Sequence, residues 1–453
     1  MTRLLRLFMA GILLFFAAAR PAMAQEILRD SETELLFKDI SDPLIKAANL
    51  DPKSVRVVLI KDSEINAFVA QGQVVYIHSG LLTNADNVGQ LQGVIGHELG
   101  HVAGGHAIRI YEGAGKATAI TLLSLVLGAA AMAVGAGEAG MGIMAAGQQA
   151  AMGSFLAFSR AQEASADQAG AQYLSRAGIS GRGSIEFFKK LQNQEYRLAI
   201  FAKDSYNRTH PLSSERIAAL TELYEKDPAW NRKPDPALEA RFQRVKAKLI
   251  GFVTPDQAVK LYPETNQSVP AHYARAYAYH LGAYPDKANA EADALLATAP
   301  DDPFFLELKG QILLESGRPK EAIAPLRKAV ANAPNMPMIA VMLGHALIAS
   351  EDSKNFAEAK QVLKNAVNRD NDNPFAWYQL GVVYDREGDQ PRAALASAES
   401  NNLQGKNKLA LASARMAMAG LPQGTPDYIR AQDIAMVSEN ALEKDNKKRD
   451  REQ

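Results

Sequence analysis

Three of the chain's eight histidines fall within the ten residues from His97 to His106, in the stretch VIGHELGHVAGGH. Leu91, Val94, Ile95 and Leu99 recur at helical spacing and predict a helix over residues 90–104 with one apolar face. On such a helix His97 and His101 stand one turn apart, so both imidazoles can reach a single ion at ~2.0–2.1 Å. Glu98 lies where its carboxylate can meet a water on that ion rather than the ion itself. The chemistry open to this arrangement is hydrolysis: a Lewis acid acidifies a water and a neighbouring carboxylate removes its proton.

A catalytic zinc site of this H-E-x-x-H kind needs a third protein ligand. The chain has no cysteine, which leaves His, Asp and Glu and removes disulfides as well. In the pattern HExxHxxGxxH the third histidine stands six residues after the second; that position is Ala107, and His106 falls one short. His106 is therefore expected to cap or pack beside the helix end. The other major class takes a glutamate from a second helix. Downstream, FSRAQEASADQAG carries Glu163 and Asp167 four apart, so Glu163 could reach the metal while Asp167 accepts a hydrogen bond from a ligand histidine. An ordinary solvated helix face has the same spacing, so the pattern leaves both readings open.

The elements that must position these residues follow from the rest of the chain. Residues 1–24 have Arg3 and Arg6, an apolar run and small residues at Ala22 and Ala24, and read as a secretory signal that is removed. Lys+Arg and Asp+Glu balance at 50 each; without the three arginines of the leader the net charge is −3, which gives no sign of nucleic-acid binding. SVRVVLIKD and INAFVAQGQVVYIHSGLL alternate in the manner of strands, with a turn at Gln71-Gly72, so a small sheet precedes the histidine helix. Residues 117–159 hold one charged residue, Glu138, and are expected to form a helical hairpin packed over the catalytic core; insertion into or against a bilayer is the alternative. Farther on, Ala276, Gly310, Gly344 and Gly381 recur at spacings of 34, 34 and 37, with Ala322, Ala359 and Ala393 aligned in the second helix of each unit. That period resembles the tetratricopeptide repeat. The expected organisation is a signal at 1–24, a metallopeptidase domain at 25–262 and a repeat domain at 263–453. The fold class is mostly α: an α+β domain with a small sheet, then an all-α solenoid.

HELGHVAGGH, SRAQEASADQAG and THPLSSERI together resemble the gluzincin family that includes HtpX, the CAAX prenyl proteases and the BepA-type periplasmic zinc metalloproteases with C-terminal repeats. The likeness runs from Asn66 through the repeats. It implies that His97, His101 and Glu163 bind one zinc ion, that Glu98 is the general base and that Asp167 supports a ligand histidine. His210 and Arg216 match the family's T-H-P-x-x-x-x-R segment, which approaches the active site. Family members often carry a further acid two residues after the ligand glutamate, where this chain has Ser165.

The resemblance implies a periplasmic zinc endopeptidase that degrades misfolded or misassembled outer-membrane proteins, with the repeats docking substrates or the outer-membrane assembly machinery. The other function class is a chaperone or assembly scaffold whose metal site is latent or structural; Glu98 favours the enzyme, because a structural site needs no base. An extended substrate could pair with the strand NAFVAQGQVVYI. His210 or Arg216 could serve as donor to the oxyanion, or His210 could instead swing onto the metal and hold the enzyme latent.

Overall fold

The computed structural model describes residues 26–134, 136–198, 210 and 213–452. The expected signal, residues 1–24, lies outside them. The described residues pack as two compact units, one of residues 26–28, 44–85 and those described between 90 and 230, the other of residues 29–43, 86–89 and 231–452.

In the first unit, strands β1 (Arg56–Ile60), β2 (Ala67–Ala70) and β3 (Val74–His78) form one sheet in the order β1-β3-β2. Helix α1 (Ser31–Ala47) precedes the sheet in the chain, and α2 (Ser79–Asn84) follows β3 directly. β1 runs parallel to β3 and β2 antiparallel to it, with Ala67 opposite Ile77 and Ala70 opposite Val74. The β2–β3 turn is where the sequence suggests it, and Gln71 and Gly72 take φ of 50° and 82° there. Val75 and Ile77 point inward, as strand alternation requires. Three further helices build the site. α3 (Val88–Ala103) carries the histidine motif and buries Leu91, Val94, Ile95 and Leu99. Gly105, in the left-handed region at φ 61°, turns the chain into α4 (His106–Ala133), which pairs antiparallel with α5 (Gly137–Ala177).

The tract 117–159 is a helical hairpin, as expected, but it is not covered by the catalytic core. α4 and α5 meet through small residues: a Cβ on Gly128 would lie 2.7 Å from the Gly140 carbonyl, and one on Gly147 would lie 2.2 Å from the Ser124 hydroxyl. Many large side chains are left outside, Leu122, Leu123 and Val126 among them.

In the second unit, helices pair in succession. Pro303, Pro337 and Pro374 open the first helices of successive repeats, where the missing N–H costs nothing, and Asp302 and Asn373 cap two of them. The repeating glycines are where paired helices touch: a Cβ on Gly310 would meet Leu326 and one on Gly344 would meet Leu363. The three extra residues of the longest repeat form a short 3-10 turn, Ser353–Asn355. The helix Pro236–Val253 packs Ala247 and Ile250 against Ala274 and Ala278 of Val269–Leu281, so it belongs with the repeats in this unit.

Candidate metal centre

The site exists because α3 and α5 cross at backbone contact. A Cβ added to Gly100 would stand 2.6 Å from the Ala166 carbonyl oxygen, and one on Gly170 would stand 2.9 Å from Gly96. Only residues without a Cβ permit this approach, and it brings the side chains flanking the crossing together: His97 and His101 from α3, Glu163 and Asp167 from α5. All four are buried, as is His210, which arrives from the chain ahead of the helix Ser214–Glu225.

The donor atoms of His97, His101, Glu163 and His210 all lie within 4.8 Å of one another. His97 Nε2 is 3.1 Å from His101 Nε2, 3.3 Å from His210 Nδ1 and 3.4 Å from Glu163 Oε2. Glu163 Oε1 is 3.4 Å from His101 Nε2 and 3.1 Å from His210 Nδ1. Ligands at ~2.0–2.1 Å from a tetrahedral zinc ion stand about 3.3 Å apart along each edge. Five of the six edges of such a tetrahedron are therefore present in the protein.

The outer nitrogens decide the tautomers. Asp167 Oδ1 lies 2.9 Å from His97 Nδ1, so that nitrogen donates and Nε2 presents its lone pair inward. The Ala67 carbonyl can only accept, so His210 Nε2 donates to it at 3.2 Å and Nδ1 turns inward. His101 Nδ1 meets His106 Nδ1 at 3.0 Å, which lets His101 donate outward while its Nε2 faces the cluster. Three inward lone pairs and a carboxylate at these separations repel one another unless a cation lies among them. Protonation answers to the same demand: burial opposes charge on His97, yet its hydrogen bonds to Asp167 and Glu163 raise its pKa to about 10. Burial pushes Glu163 upward, but hydrogen bonds from His101, His210 and His97 outweigh it and hold its pKa well below the usual range. The donor set fits one divalent cation.

Around this core, Arg216 donates through Nε to Asp167 Oδ2 at 2.7 Å and through Nη2 to Oδ1 at 2.9 Å, and its Nη1 lies 3.1 Å from Glu163 Oε2. The guanidinium thus ties together the two carboxylates rather than facing the opposite side of the cluster. Arg216 is placed for this by Ser213, which caps its helix and accepts from the Arg216 N–H. Glu98 is fully buried; neither carboxylate oxygen has a hydrogen-bond partner among the described residues, and Oε1 lies 3.5 Å from His210 Nε2.

Every residue singled out from the sequence thus meets at one place: His97, Glu98, His101, Glu163, Asp167, His210 and Arg216. Three contributions escape a reading of the sequence. The Ala67 carbonyl is backbone and leaves no mark there. The glycine crossing is legible only as Gly96-x-x-x-Gly100 facing Ala166-x-x-x-Gly170, a pairing that needs the fold. His106 reads as a helix-end residue, yet its Nδ1 meets the outer nitrogen of His101.

A family model described as peptidase family M48 matches residues 31–224, and one described as a tetratricopeptide repeat matches residues 284–337. The chain is 26% identical over 402 residues to the beta-barrel assembly-enhancing protease of Yersinia pestis, covering 86% of this chain and 80% of that protein. The protein of the same name from Escherichia coli K12 is 26% identical over 399 residues, 85% of this chain and 79% of its own length. The metalloprotease LoiP of the same organism is 31% identical over 205 residues, 44% of this chain and 73% of LoiP.

Proposed function

This chain belongs to peptidase family M48, and on that premise we propose that it is a zinc endopeptidase of the bacterial periplasm that removes misfolded or misassembled outer-membrane proteins. The observation that carries the reading is the set of inward lone pairs at tetrahedral separations, with Glu98 beside it. Nitrogen and oxygen donors in fourfold array, without thiolate, suit zinc. His97, His101 and Glu163 would hold it. The bound ion would supply a Lewis acid for the scissile carbonyl and would acidify the attacking water.

Glu98 then takes the water's proton and passes it to the leaving amine. Among the described residues its oxygens accept no hydrogen bond, so their lone pairs are open to that proton. Asp167 holds the His97 tautomer, and Arg216 holds Asp167 and Glu163 in place. Among the described residues β2 is an edge strand of the sheet, so an extended chain can add there as a further strand. Such pairing selects unfolded or unpaired segments.

His210 has a second part in this reading. With Nδ1 among the donors it takes the place that the attacking water needs, and with Nε2 it occupies the Ala67 carbonyl on the β2 edge. This arrangement is the latent form, and activity requires His210 to withdraw. The position of His210 favours the latch over a donor to the oxyanion. Envelope β-barrel proteins as substrates, and docking through the repeats, rest on the likeness to the beta-barrel assembly-enhancing proteases. A chaperone whose metal is structural would leave Glu98 idle.

The test is Glu98→Gln. Zinc content should match the wild type while cleavage of an unfolded protein falls by at least ~10²-fold, the loss expected on removing a general base. Undiminished cleavage would end the assigned mechanism.

A further inference from the structure

The hairpin of α4 and α5 is built inside out. Among the described residues between 117 and 159 the fully buried positions at the helix contact are small, Ser124, Gly128, Gly140 and Ala151, whereas most large apolar side chains are exposed and Met144, Phe155 and Phe158 are half-buried. Leu123 is 60% exposed and Val126 66%, with Leu122, Leu127 and Met152 similarly open. A water-soluble helix pair has the opposite order, because burying large side chains is what holds it together. Helices that associate in lipid gain nothing from hiding leucine and instead pack through small residues at close range.

Three further features point to the same medium. The segment 117–133 is roughly 26 Å long and 137–159 roughly 35 Å at 1.5 Å per residue, against a hydrocarbon thickness of ~30 Å. Glu138, the one charge of the tract, is at the turn, while Arg109, Glu112 and Lys116 on one helix and Arg160 on the other gather at the base. The hydroxyls of Thr118, Thr121 and Ser124 are all satisfied within their own helix, by the carbonyls of Ala114, Ala117 and Thr121, and ask nothing of water. α4 is the one candidate span among the described residues.

We propose that residues 117–159 are a membrane anchor whose outward apolar side chains lie in the hydrocarbon of a lipid bilayer. Both helices run directly from this anchor into the metal centre: Glu163 follows Ser159 by four residues and His106 precedes Lys116 by ten, roughly 6 Å and 15 Å along the helices. The catalytic cluster is thereby held at the bilayer surface. That placement favours substrates that lie at or emerge from that surface.

Flotation of the purified protein with vesicles tests this. It should rise with neutral phosphatidylcholine vesicles as well as with phosphatidylethanolamine–phosphatidylglycerol vesicles, and stay bound at molar salt. The triple variant Leu123→Gln, Val126→Gln, Leu127→Gln should lose at least tenfold in the floated fraction while cleaving a flexible peptide in solution as the wild type does. Because the chain lacks cysteine, Val126→Cys can carry a single polarity-sensitive fluorophore. Its emission should shift to the blue with vesicles and be quenched by nitroxides on the lipid chains. Release by salt, flotation with the anionic vesicles alone, or a variant that floats like the wild type would overturn the anchor. So would a fluorophore already shielded without lipid in a dimeric protein, since the face would then be covered by a second copy.

Discussion

The two halves of the helix Gly137–Ala177 obey opposite rules. Its C-terminal half hides charge: Glu163 and Asp167 are buried against α3, with Ala166 and Gly170 between and beside them. Its N-terminal half exposes hydrocarbon, with Met141 and Met152 turned outward. Both halves nevertheless pack through the same device, a contact of small residues that lets two helix backbones approach. Close approach is therefore a neutral tool, and what the flanking side chains bring decides its use. At one end it gathers ligands within 4.8 Å of each other; at the other it turns large apolar groups toward the surroundings.

The largest effect should come from wedging the catalytic crossing. In Gly100→Val the new Cβ meets Ala166 backbone atoms at 2.6 and 2.8 Å, and backbone cannot give way as a side chain can. The helices must separate, and Glu163 leaves His97 and His101. Displacements of about 1 Å cost ~10²-fold in rate, so cleavage should drop by at least that, with zinc lost on dialysis. If the variant keeps its zinc and its rate, the crossing does not set the site.

Asp167→Ala acts on the same half but spares the crossing. His97 loses the acceptor that fixes its tautomer, and Arg216 loses two of its hydrogen bonds. Metal affinity, measured by competition with a chelator, should weaken by ~10–100-fold. Unchanged affinity would mean that Glu163 and the helix crossing orient His97 unaided.

The difference between the halves also governs what the sequence can reveal. The histidine helix, the repeat period and the turn at Gln71-Gly72 are local patterns, and local patterns survive in a linear text. Glu163 and Asp167 are legible as a pair at helical spacing, but their spacing is shared by any solvated helix, and only the resemblance to a known family separates the two. The hairpin over 117–159 is legible as helices too. Its inside-out packing is not, because that depends on which side of each helix meets the other, and Ala/Gly-rich helices present nearly equivalent faces. The Ala67 carbonyl and the Arg216 clamp belong to tertiary structure alone.

His210→Ala probes the centre more gently. The variant keeps His97, His101 and Glu163, so zinc should remain. If His210 holds the latent form, its removal frees both the fourth position and the Ala67 carbonyl. Basal cleavage of an unfolded substrate should then rise by roughly three- to tenfold, the gain expected when a competent state in the minority becomes the majority. A variant that binds zinc but loses activity would assign His210 to the oxyanion instead.

The smallest effect belongs to the other half of the helix. A Cβ added at Gly142 or Gly153 would meet nothing within 4 Å, unlike one at Gly140 or Gly147 on the face toward α4. Gly142→Ala and Gly153→Ala therefore add a methyl to open space and remove backbone freedom from the unfolded chain, worth about 0.5–1 kcal/mol each in a helix interior. Local opening of the hairpin should become rarer, and hydrogen exchange of its amides should slow by roughly two- to fivefold per substitution, with cleavage unchanged. The same change at Gly140 should do the reverse, because its Cβ would stand 2.5 Å from the Gly128 carbonyl. If Gly142→Ala instead speeds exchange, that face is packed against something in solution, and the contrast between a covered and an uncovered half of the helix fails.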